Sequence, residues 1–374
     1  MRFGIAALGL VAACAGAGPS SAPHPAPNAV EITMFLIGDA GAPAPSGEPV
    51  LKALATELEN APGQRVVVFL GDNVYPRGLP DSAAPDRTEM ERRLDTQVDL
   101  VKAAGARGIF VPGNHDWAKH GPDGWNAIRR QGRQIARRGA PEVELLPADG
   151  CPGPAVVDLG RRVRLITLDT QWWLHGGPRP VGPTSKCRAI NERAVADSLK
   201  ADLASAGDRK VVVAAHHPLA SGGEHGGYFG VESYLFPLRV VKPWLWIPLP
   251  GVGPTYAIAR QSGVTNQDMA GFVNQRMRDM LQRAMRDHPP LVWADGHDHN
   301  LQVLRGISAR WLLVSGAGIF GHEGPVNRLP ETRFASQDAG FMRLEFLTDG
   351  RERLGVLAVD REGRLQERFS TWLE

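Results

Sequence analysis

Net charge, cysteine and internal repetition are all scarce in this chain. The formal net charge is +2 over 374 residues, which is too close to neutral to indicate a nucleic-acid or membrane-surface partner. The sequence has only three cysteines, and no internal repeat is visible. What remains, 43% hydrophobic and 22% charged residues, is ordinary for a globular protein that can bury a sizeable core.

Long apolar runs are also scarce, and neither of the two candidates can form a spanning helix. Residues 1–14 are too few to cross a bilayer. Residues 228–258 are aromatic and apolar, but prolines at 237, 243, 248, 250 and 254 exclude a single spanning helix. Three interpretations of this stretch stay open: a lid over a functional site, an interfacial contact with a membrane, and packing against its own domain.

The amino terminus is typical of an exported bacterial lipoprotein. A basic residue at position 2, an apolar run and small residues before Cys14 predict a signal peptide over residues 1–14. The VAAC sequence that ends at Cys14 resembles a lipobox, which would make Cys14 an acylated membrane anchor. Residues 15–30 are rich in proline, alanine and serine and predict a linker. We therefore expect the protein in the bacterial periplasm, or at the outer membrane or cell surface.

Export would give the other two cysteines a role. An oxidising compartment favours a disulfide between Cys151 and Cys187, which would close a loop of the chain. Two reduced thiols are the alternative, because a sequence does not show whether the two Cα atoms lie close enough for a bond.

Five short polar stretches each follow an apolar, β-branched run. The stretches are IGDAG (37–41), GDNVY (71–75), GNHD (113–116), AHHP (215–218) and GHDH (296–299). The preceding runs, such as VVVFLGD and VVVAAHH, are typical of buried strands. Because the carboxyl ends of strands in an open α/β sheet share one crevice, we expect all five stretches to meet at a single point.

The five stretches hold side chains typical of a metal centre. The candidate ligands are Asp39, Asp72, Tyr75, Asn114, His216, His297 and His299. They offer oxygen and imidazole atoms but no thiolate, which favours iron, zinc or manganese. The set is too large for one tetrahedral ion. A carboxylate can bridge two ions, and such pairs activate water for phosphoryl displacement.

The stretches resemble those of the metallophosphoesterase (calcineurin-like) superfamily, and within it the purple, tartrate-resistant acid phosphatases. GDAG stands where most of the superfamily has Asp-x-His, and Tyr75 of GDNVY stands where purple phosphatases have a tyrosinate ligand to ferric iron. The resemblance implies two metal ions, iron with iron, zinc or manganese. It assigns Asp39, Tyr75 and His299 to the first metal, Asn114, His216 and His297 to the second, and Asp72 to the bridge.

The same resemblance suggests three catalytic residues. His115 of GNHD matches a histidine that faces substrate phosphate, and Asp116 follows it as a residue that would orient it. His225, in SGGEHGG, matches a histidine near the leaving group.

Several of these assignments keep an alternative. His217 could replace His216 as the ligand, although the resemblance favours His216. His225 could be a solvated loop residue, and Tyr75 could be a neutral phenol beside the site. The histidines at 120, 175 and 322 have no motif around them and are interpreted as ordinary surface or core residues.

The periodicity predicts an α/β (α+β) fold for residues 31–374, with an apolar insertion at about 226–262. Strands are expected near 31–37, 65–70, 108–111, 154–158, 163–169, 310–315, 340–347, 353–360 and 366–371, besides those that precede AHHP and GHDH. Helices are expected near 48–60, 86–104, 124–138, 189–205 and 266–287. The closely spaced late strands suggest hairpins that form a second, mainly antiparallel sheet packed on the first. The resemblance implies the same architecture, two packed mixed sheets flanked by helices.

These observations together predict a metal-dependent hydrolase of small phosphate monoesters. The resemblance implies that a metal-bound hydroxide attacks phosphorus in line and that His115 or His225 gives a proton to the leaving group. Activity is then expected on the acidic side of neutral, since the donor must hold a proton. Two alternatives remain: a phosphodiesterase or nucleotide hydrolase on the same site, and a non-enzymatic, surface-anchored binding lipoprotein.

Overall fold

Two β-sheets packed face to face form the centre of the protein. The computed structural model describes residues 21–236, 238, 244–249 and 253–374. Within those residues each sheet has seven strands, and helices cover the outer faces. The predicted sandwich of two mixed sheets flanked by helices is confirmed.

The strands occur along the whole described chain. They are β1 (Val30–Ile37), β2 (Gln64–Phe69), β3 (Arg107–Phe110), β4 (Val143–Leu145), β5 (Ala155–Leu159), β6 (Val163–Thr167), β7 (Lys210–Ala214), β8 (Val292–Asp295), β9 (Leu301–Arg305), β10 (Trp311–Ser315), β11 (Thr332–Ser336), β12 (Gly340–Leu347), β13 (Glu352–Val359) and β14 (Leu365–Trp372).

Most helices connect parallel strands. They are α1 (Pro49–Asn60), α2 (Arg87–Ala103), α3 (Gly124–Gly139), α4 (Gln171–Leu174), α5 (Glu192–Ala204), α6 (Val231–Leu235), α7 (Gly253–Gln261) and α8 (Phe272–Met285). Each predicted helix is present, although α8 begins six residues later than the expected start at 266. The short α6 and α7 lie in the predicted insertion.

The order of the first sheet is β14-β13-β12-β1-β2-β3-β4, and that of the second is β11-β9-β10-β8-β7-β6-β5. Strands β1 to β4 run parallel, as do β6, β7, β8 and β10, while the remaining strands pair antiparallel with their neighbours. The parallel strands of each sheet therefore direct their carboxyl ends to one edge.

The late strands differ from the prediction. β12, β13 and β14 do not form a second sheet but extend the first one, because β12 pairs antiparallel with the edge of β1 that β2 leaves free. The second sheet instead consists of β5 to β11, and its centre is parallel. The hydrophobic pattern indicates that a strand exists, but the partner depends on which edge is free in three dimensions.

Successive side chains of β1 point to opposite faces of the sheet, so this one strand contributes to two hydrophobic clusters. Ile32, Met34 and Leu36 pack with residues of both sheets in the layer between them. Phe35 and Ile37 point to the other face and pack against helical residues of the outer layer. Since both faces are covered, the run is apolar almost throughout, as expected for a buried strand with parallel neighbours.

The disulfide that the sequence suggested is present. Cys151 and Cys187 are bonded, with their Cα atoms 5.4 Å apart. It ties the segment after α3 to the segment before α5.

Part of the predicted linker is packed against the domain. Ala22 is buried, and its carbonyl accepts hydrogen bonds from Arg353 Nη2 at 2.9 Å and from the Ser370 hydroxyl at 3.1 Å. The chain from residue 21 onward therefore follows the β13–β14 edge of the first sheet. The predicted signal peptide, Cys14 and residues 15–20 lie outside the described residues.

The insertion carries exposed apolar side chains beside the carboxyl ends of the strands. Trp244 is 70% exposed and Trp246 is 54% exposed, so the described part of this stretch is not simply core. Phe236, at the end of α6, lines a cavity of about 500 Å³ together with His299 and His322. In the described residues, no helix has both the length and the apolar character that crossing a bilayer requires.

Candidate metal centre

The five polar stretches meet at one edge of the sandwich, as predicted. They follow the carboxyl ends of β1, β2, β3, β7 and β8, which come from both sheets. The seven candidate ligands lie together there, and oxygen or nitrogen atoms of Asp39, Asp72 and His216 all lie within 4.8 Å of one another.

Sharp backbone turns bring the side chains off the strands. Asp39, Asp72 and His297 have φ values of 59°, 54° and 68°, a left-handed conformation that is uncommon outside glycine. Such strain persists where the surrounding structure enforces it, and it is concentrated at functional sites. Gly71, with φ of 97°, precedes Asp72 and lets the chain turn against the His216 ring.

Each of three imidazoles is fixed by a backbone carbonyl on its outer side. His216 Nδ1 lies 2.8 Å from the carbonyl of Leu70, and His297 Nε2 lies 3.1 Å from that of Gln267. His299 Nδ1 lies 3.0 Å from the carbonyl of His322. A carbonyl only accepts hydrogen bonds, so these nitrogens donate, and each ring turns its other nitrogen toward the centre. Metal-binding histidines are oriented in this way.

The inner nitrogens of His216 and His297 face each other and an amide oxygen. His216 Nε2 lies 2.9 Å and His297 Nδ1 lies 3.1 Å from Asn114 Oδ1, and the two nitrogens are 3.2 Å apart. Three lone-pair atoms in such close contact are stabilised by a cation between them. The residues assigned to the second metal therefore fit a metal ion, on the chemistry of their donor atoms.

The residues assigned to the first metal form a second group. Asp39 Oδ1 accepts a hydrogen bond from the Tyr75 hydroxyl at 2.9 Å and lies 3.3 Å from His299 Nε2. Burial and the charges of Asp39 and Asp72 raise the pKa of Tyr75 well above its usual value. Burial would lower the pKa of His299, but the hydrogen bond and charge of Asp39 raise it to about 9. A carboxylate, a phenol and an imidazole thus contact one another where the first metal ion would be held.

Asp72 lies between the two groups. Its Oδ1 is 3.5 Å from His216 Nε2 and accepts the backbone N–H of His115 at 2.8 Å. The His115 ring lies beside it, with Nδ1 2.7 Å from the carbonyl of Pro76 and Nε2 3.8 Å from Asp72 Oδ2. His115 therefore presents Nε2 to the centre.

Asp116 does not orient His115, in contrast to the prediction. Its oxygens accept the backbone N–H of Gly113 at 2.8 Å, the backbone N–H of Asn73 at 3.0 Å and the Asn73 side-chain amide at 2.9 Å. Burial raises the pKa of Asp116 to about 7, against the effect of these donors. Asp116 thus connects the GDNVY and GNHD turns, while the carbonyl of Pro76 orients His115.

His217, the alternative to His216, offers a ring nitrogen within 4.8 Å of ligand atoms of His216 and His297, but both of its ring nitrogens contact other side chains. Its Nδ1 lies 2.8 Å from the Thr170 hydroxyl and its Nε2 lies 3.0 Å from Gln267 Oε1. Burial lowers the pKa of His217 well below its usual value, so the ring is neutral. This geometry favours His216 as the ligand and makes His217 a support for Gln267.

His225 lies at the edge of the centre. Its ring is stacked on that of His297, with centroids 3.7 Å apart and planes tilted by 30°. It lines a small cavity together with His297 and His299. The side chain is 24% exposed, so the ring is accessible from solvent.

Two residues of the centre gave no recognisable signal in the sequence. The His322 ring stacks on that of His299 at 5.3 Å, and its carbonyl holds His299 Nδ1. Gln267 bonds both His297 and His217. Both lie in irregular segments away from the five stretches, so no strand pattern marks them. The interpretation of His322 as an ordinary surface or core histidine did not anticipate this contact with a candidate ligand.

The chain matches a family model described as calcineurin-like phosphoesterase over residues 32–244. No curated protein sequence matches it significantly. The match includes four of the five polar stretches, and GHDH follows it.

Solved structures with the same fold include two at 15% identity. One is described as "GAP50 the anchor in the inner membrane complex of Plasmodium", with a TM-score of 0.56 over 92% of this chain and 89% of that one. The other is a purple acid phosphatase from yellow lupin (Lupinus luteus) seeds, with a TM-score of 0.53 over 93% of this chain and 55% of that one. At this identity the likeness concerns the fold.

Proposed function

The chain belongs to the calcineurin-like phosphoesterase family, and we propose that it hydrolyses small phosphate monoesters with two metal ions. The observation that carries the proposal is the orientation of three imidazoles, in which carbonyls hold one nitrogen of His216, His297 and His299 and direct the other to the centre. A protein that only bound a partner through its surface would not need this arrangement.

Metal ions held by the seven candidate ligands would supply positive charge to offset the phosphate and would acidify a water molecule. Asp39, Tyr75 and His299 would hold one ion, Asn114, His216 and His297 the other, and Asp72 would contact both. Iron with iron, zinc or manganese suits this mixture of carboxylate, phenol and imidazole.

Two histidines are available to substrate. His115 directs Nε2 toward the centre and would contact a phosphate oxygen. His225 lines the small cavity beside His297 and would give a proton to the leaving oxygen. Since the donor must be protonated, turnover should be faster on the acidic side of neutral.

Two other functions are possible on this fold. A phosphodiesterase or nucleotide hydrolase would use the same ligands and differ in the shape of the cavity. A non-enzymatic role is suggested by the Plasmodium protein of the same fold, which is described as an anchor in the inner membrane complex. The complete donor set of this chain favours an enzyme over that role.

Hydrolysis of p-nitrophenyl phosphate and bis(p-nitrophenyl) phosphate, from pH 4 to 9 with and without a chelator, tests the proposal. Faster monoester turnover that is lost on metal removal would support it. Faster diester turnover would move the function to a phosphodiesterase. No turnover after iron, zinc or manganese is restored would favour the non-enzymatic role.

We also propose that the protein is exported and anchored through Cys14. The disulfide between Cys151 and Cys187 fits an oxidising compartment. Incorporation of labelled fatty acid by the full chain, compared with its Cys14→Ala variant, tests the anchor. Equal labelling of the two chains would contradict it.

A further inference from the structure

The insertion places an arginine beside the candidate proton donor. His225 Nδ1 lies 2.9 Å from Asp268 Oδ1. Arg260, on α7 of the insertion, donates from Nε to Asp268 Oδ2 at 2.9 Å and from Nη2 to Oδ1. A guanidinium and a carboxylate paired through two hydrogen bonds form a rigid unit, and His225 bonds to that unit.

Both members of the pair are withdrawn from solvent. The side chain of Asp268 is 3% exposed and that of Arg260 is 15% exposed. The guanidinium also donates to the Tyr256 hydroxyl at 2.9 Å and lies 5.3 Å from the centre of the Phe229 ring. These contacts hold Arg260 in place, so the position of Asp268 depends on the insertion.

The backbone of His225 is fixed separately. Its N–H donates to Asp298 Oδ1 at 3.0 Å, and its carbonyl accepts the N–H of Met269 at 2.8 Å. Asp298 Oδ2 also accepts the Ser221 hydroxyl in a short hydrogen bond. These contacts fix the loop but do not touch the imidazole. The direction of the ring is set by its stacking on His297 and by the contact of Nδ1 with the Asp268–Arg260 pair.

We propose that Asp268 and Arg260 are positioning residues that hold the His225 imidazole with Nδ1 toward Asp268 and Nε2 toward the leaving group. This inference rests on the proposed phosphoesterase function. It gives the insertion a direct part in the reaction, through α7.

The step balances as a hydrolysis. Water oxygen forms a bond to phosphorus, and the bond between phosphorus and the ester oxygen breaks with its electron pair on that oxygen. The Nε2 proton of His225 passes to the ester oxygen, so an alcohol leaves. The Nδ1 proton remains on the bond to Asp268 throughout. The proton that the attacking water loses passes to solvent, and solvent returns a proton to His225 Nε2 once the alcohol has left.

Leaving-group dependence separates this role from a structural one. An alkyl alkoxide needs a proton as it leaves, whereas p-nitrophenolate leaves without one. Asp268→Asn should therefore lower kcat for an alkyl phosphate by about 10- to 100-fold. The loss for p-nitrophenyl phosphate should be at least tenfold smaller. Arg260→Gln should show the same pattern, and Arg260→Lys should not restore the wild-type rate because an ammonium cannot form the paired contact.

Two controls sharpen the kinetic test. Asp202→Asn removes another partly buried ion pair, in which Asp202 accepts from Arg188 at 2.7 and 2.8 Å. This variant should not lower kcat for one of the two substrates more than for the other. In a His225→Asn background, Asp268→Asn should cause no further loss on the alkyl phosphate. Equal losses on both substrates, or a full additional loss in that background, would overturn the positioning role.

A second readout does not depend on turnover. Arg260 Nη2 lies 3.0 Å from His225 Nδ1, so the carboxylate and the guanidinium favour opposite tautomers. We expect nitrogen-15 imidazole spectra of the metal-free protein to show a protonated Nδ1 that becomes mixed in Asp268→Asn. An unprotonated Nδ1 in the wild type would overturn the inference. Failure of the proposed function appears separately, as absent turnover in the wild type.

Discussion

Gly71 and His216 are in such close contact that no residue with a side chain fits at position 71. A Cβ atom built on Gly71 would lie 2.4 Å from His216 Nδ1, the nitrogen that the Leu70 carbonyl holds. The GDNVY stretch, which follows a strand of the first sheet, is therefore in direct contact with the AHHP stretch, which follows a strand of the second. The glycine of GDNVY is needed for this approach as well as for the turn at Asp72.

Gly71→Ala should accordingly displace the His216 ring and weaken metal binding. We expect turnover to fall at least about 100-fold, since a misplacement of about 1 Å has that effect on positioned groups. Gly207→Ala is the matched control: Gly207 also has a positive φ, of 62°, but a Cβ there would meet nothing within 4 Å. Its cost should be limited to about 1 kcal/mol of stability. Similar activity in the two variants would contradict the steric argument.

Asp72→Ala should abolish metal binding and turnover together, because Asp72 lies between the two groups of candidate ligands. Metal content by elemental analysis and turnover of p-nitrophenyl phosphate are the measurements. Asp197→Ala, which removes an exposed carboxylate on α5, should retain both. Normal turnover of the Asp72 variant with two metals bound would show that Asp72 is not the bridge.

Tyr75→Phe should remove the visible absorbance of the iron-loaded protein. The Tyr75 hydroxyl lies 2.9 Å from Asp39 Oδ1 and 3.1 Å from His299 Nε2, where a ferric ion would take its proton. Tyr228→Phe, at a partly exposed position, should keep the absorbance. If iron-loaded wild type and Tyr75→Phe have the same spectrum, Tyr75 is a neutral phenol beside the site.

Replacing Cys151 and Cys187 together by serine should lower the free energy of unfolding without changing the centre. The loop they close has a sequence separation of 36. The chain-entropy model gives about 3 to 4 kcal/mol for a loop of that size. Denaturant unfolding and metal content measure the two effects. Loss of metal at full stability would show that the bridge acts on the site instead.

His175 should make the fold sensitive to acid. It is 1% exposed and packs on Trp117, and burial together with the charges of His120 and Arg179 lowers its pKa to about 4. The unfolded chain binds a proton near pH 6.5, so the stability that neutral His175 supports is present above that pH. It is lost as the pH falls from about 6.5 to about 4.

His175→Phe should reduce this loss by up to about 3 kcal/mol. Urea midpoints of the metal-free wild type and variant, at pH 7.5, 5.5 and 4.5, measure the difference. The urea midpoint of the variant should rise relative to that of the wild type each time the pH is lowered. A constant difference at all three pH values would show that His175 does not titrate in this range.

The strands were predictable from the sequence where a long apolar run marks a strand that is buried on both faces. Runs such as VVVFLGD and VVVAAHH became β2 and β7, because a buried strand with covered faces must be apolar throughout. The short strands β4, β9 and β11 were missed, since three to five residues carry too little pattern. The pairing of β12 with β1 was also missed, because periodicity does not specify which edge a strand joins.

At the centre, the candidate ligands were predictable from the sequence, but the groups that orient them were not. The candidate ligands stand next to strand ends, where a polar residue after an apolar run is conspicuous. The groups that orient them are the carbonyls of Leu70, Gln267 and His322, and a carbonyl has no sequence signature. Asp116 was assigned to His115 by adjacency, whereas its hydrogen bonds go to another turn.

The sequence by itself determined most of the strands, the five polar stretches and the type of donor atoms, because these depend on residue identity and local period. Only the tertiary structure decided which sheet the last strands join and which histidine of His216 and His217 faces the centre. It also decided that Arg260 and Asp268 lie against His225. Those outcomes depend on contacts between segments far apart in the chain, whose geometry exists only when the two sheets are packed together.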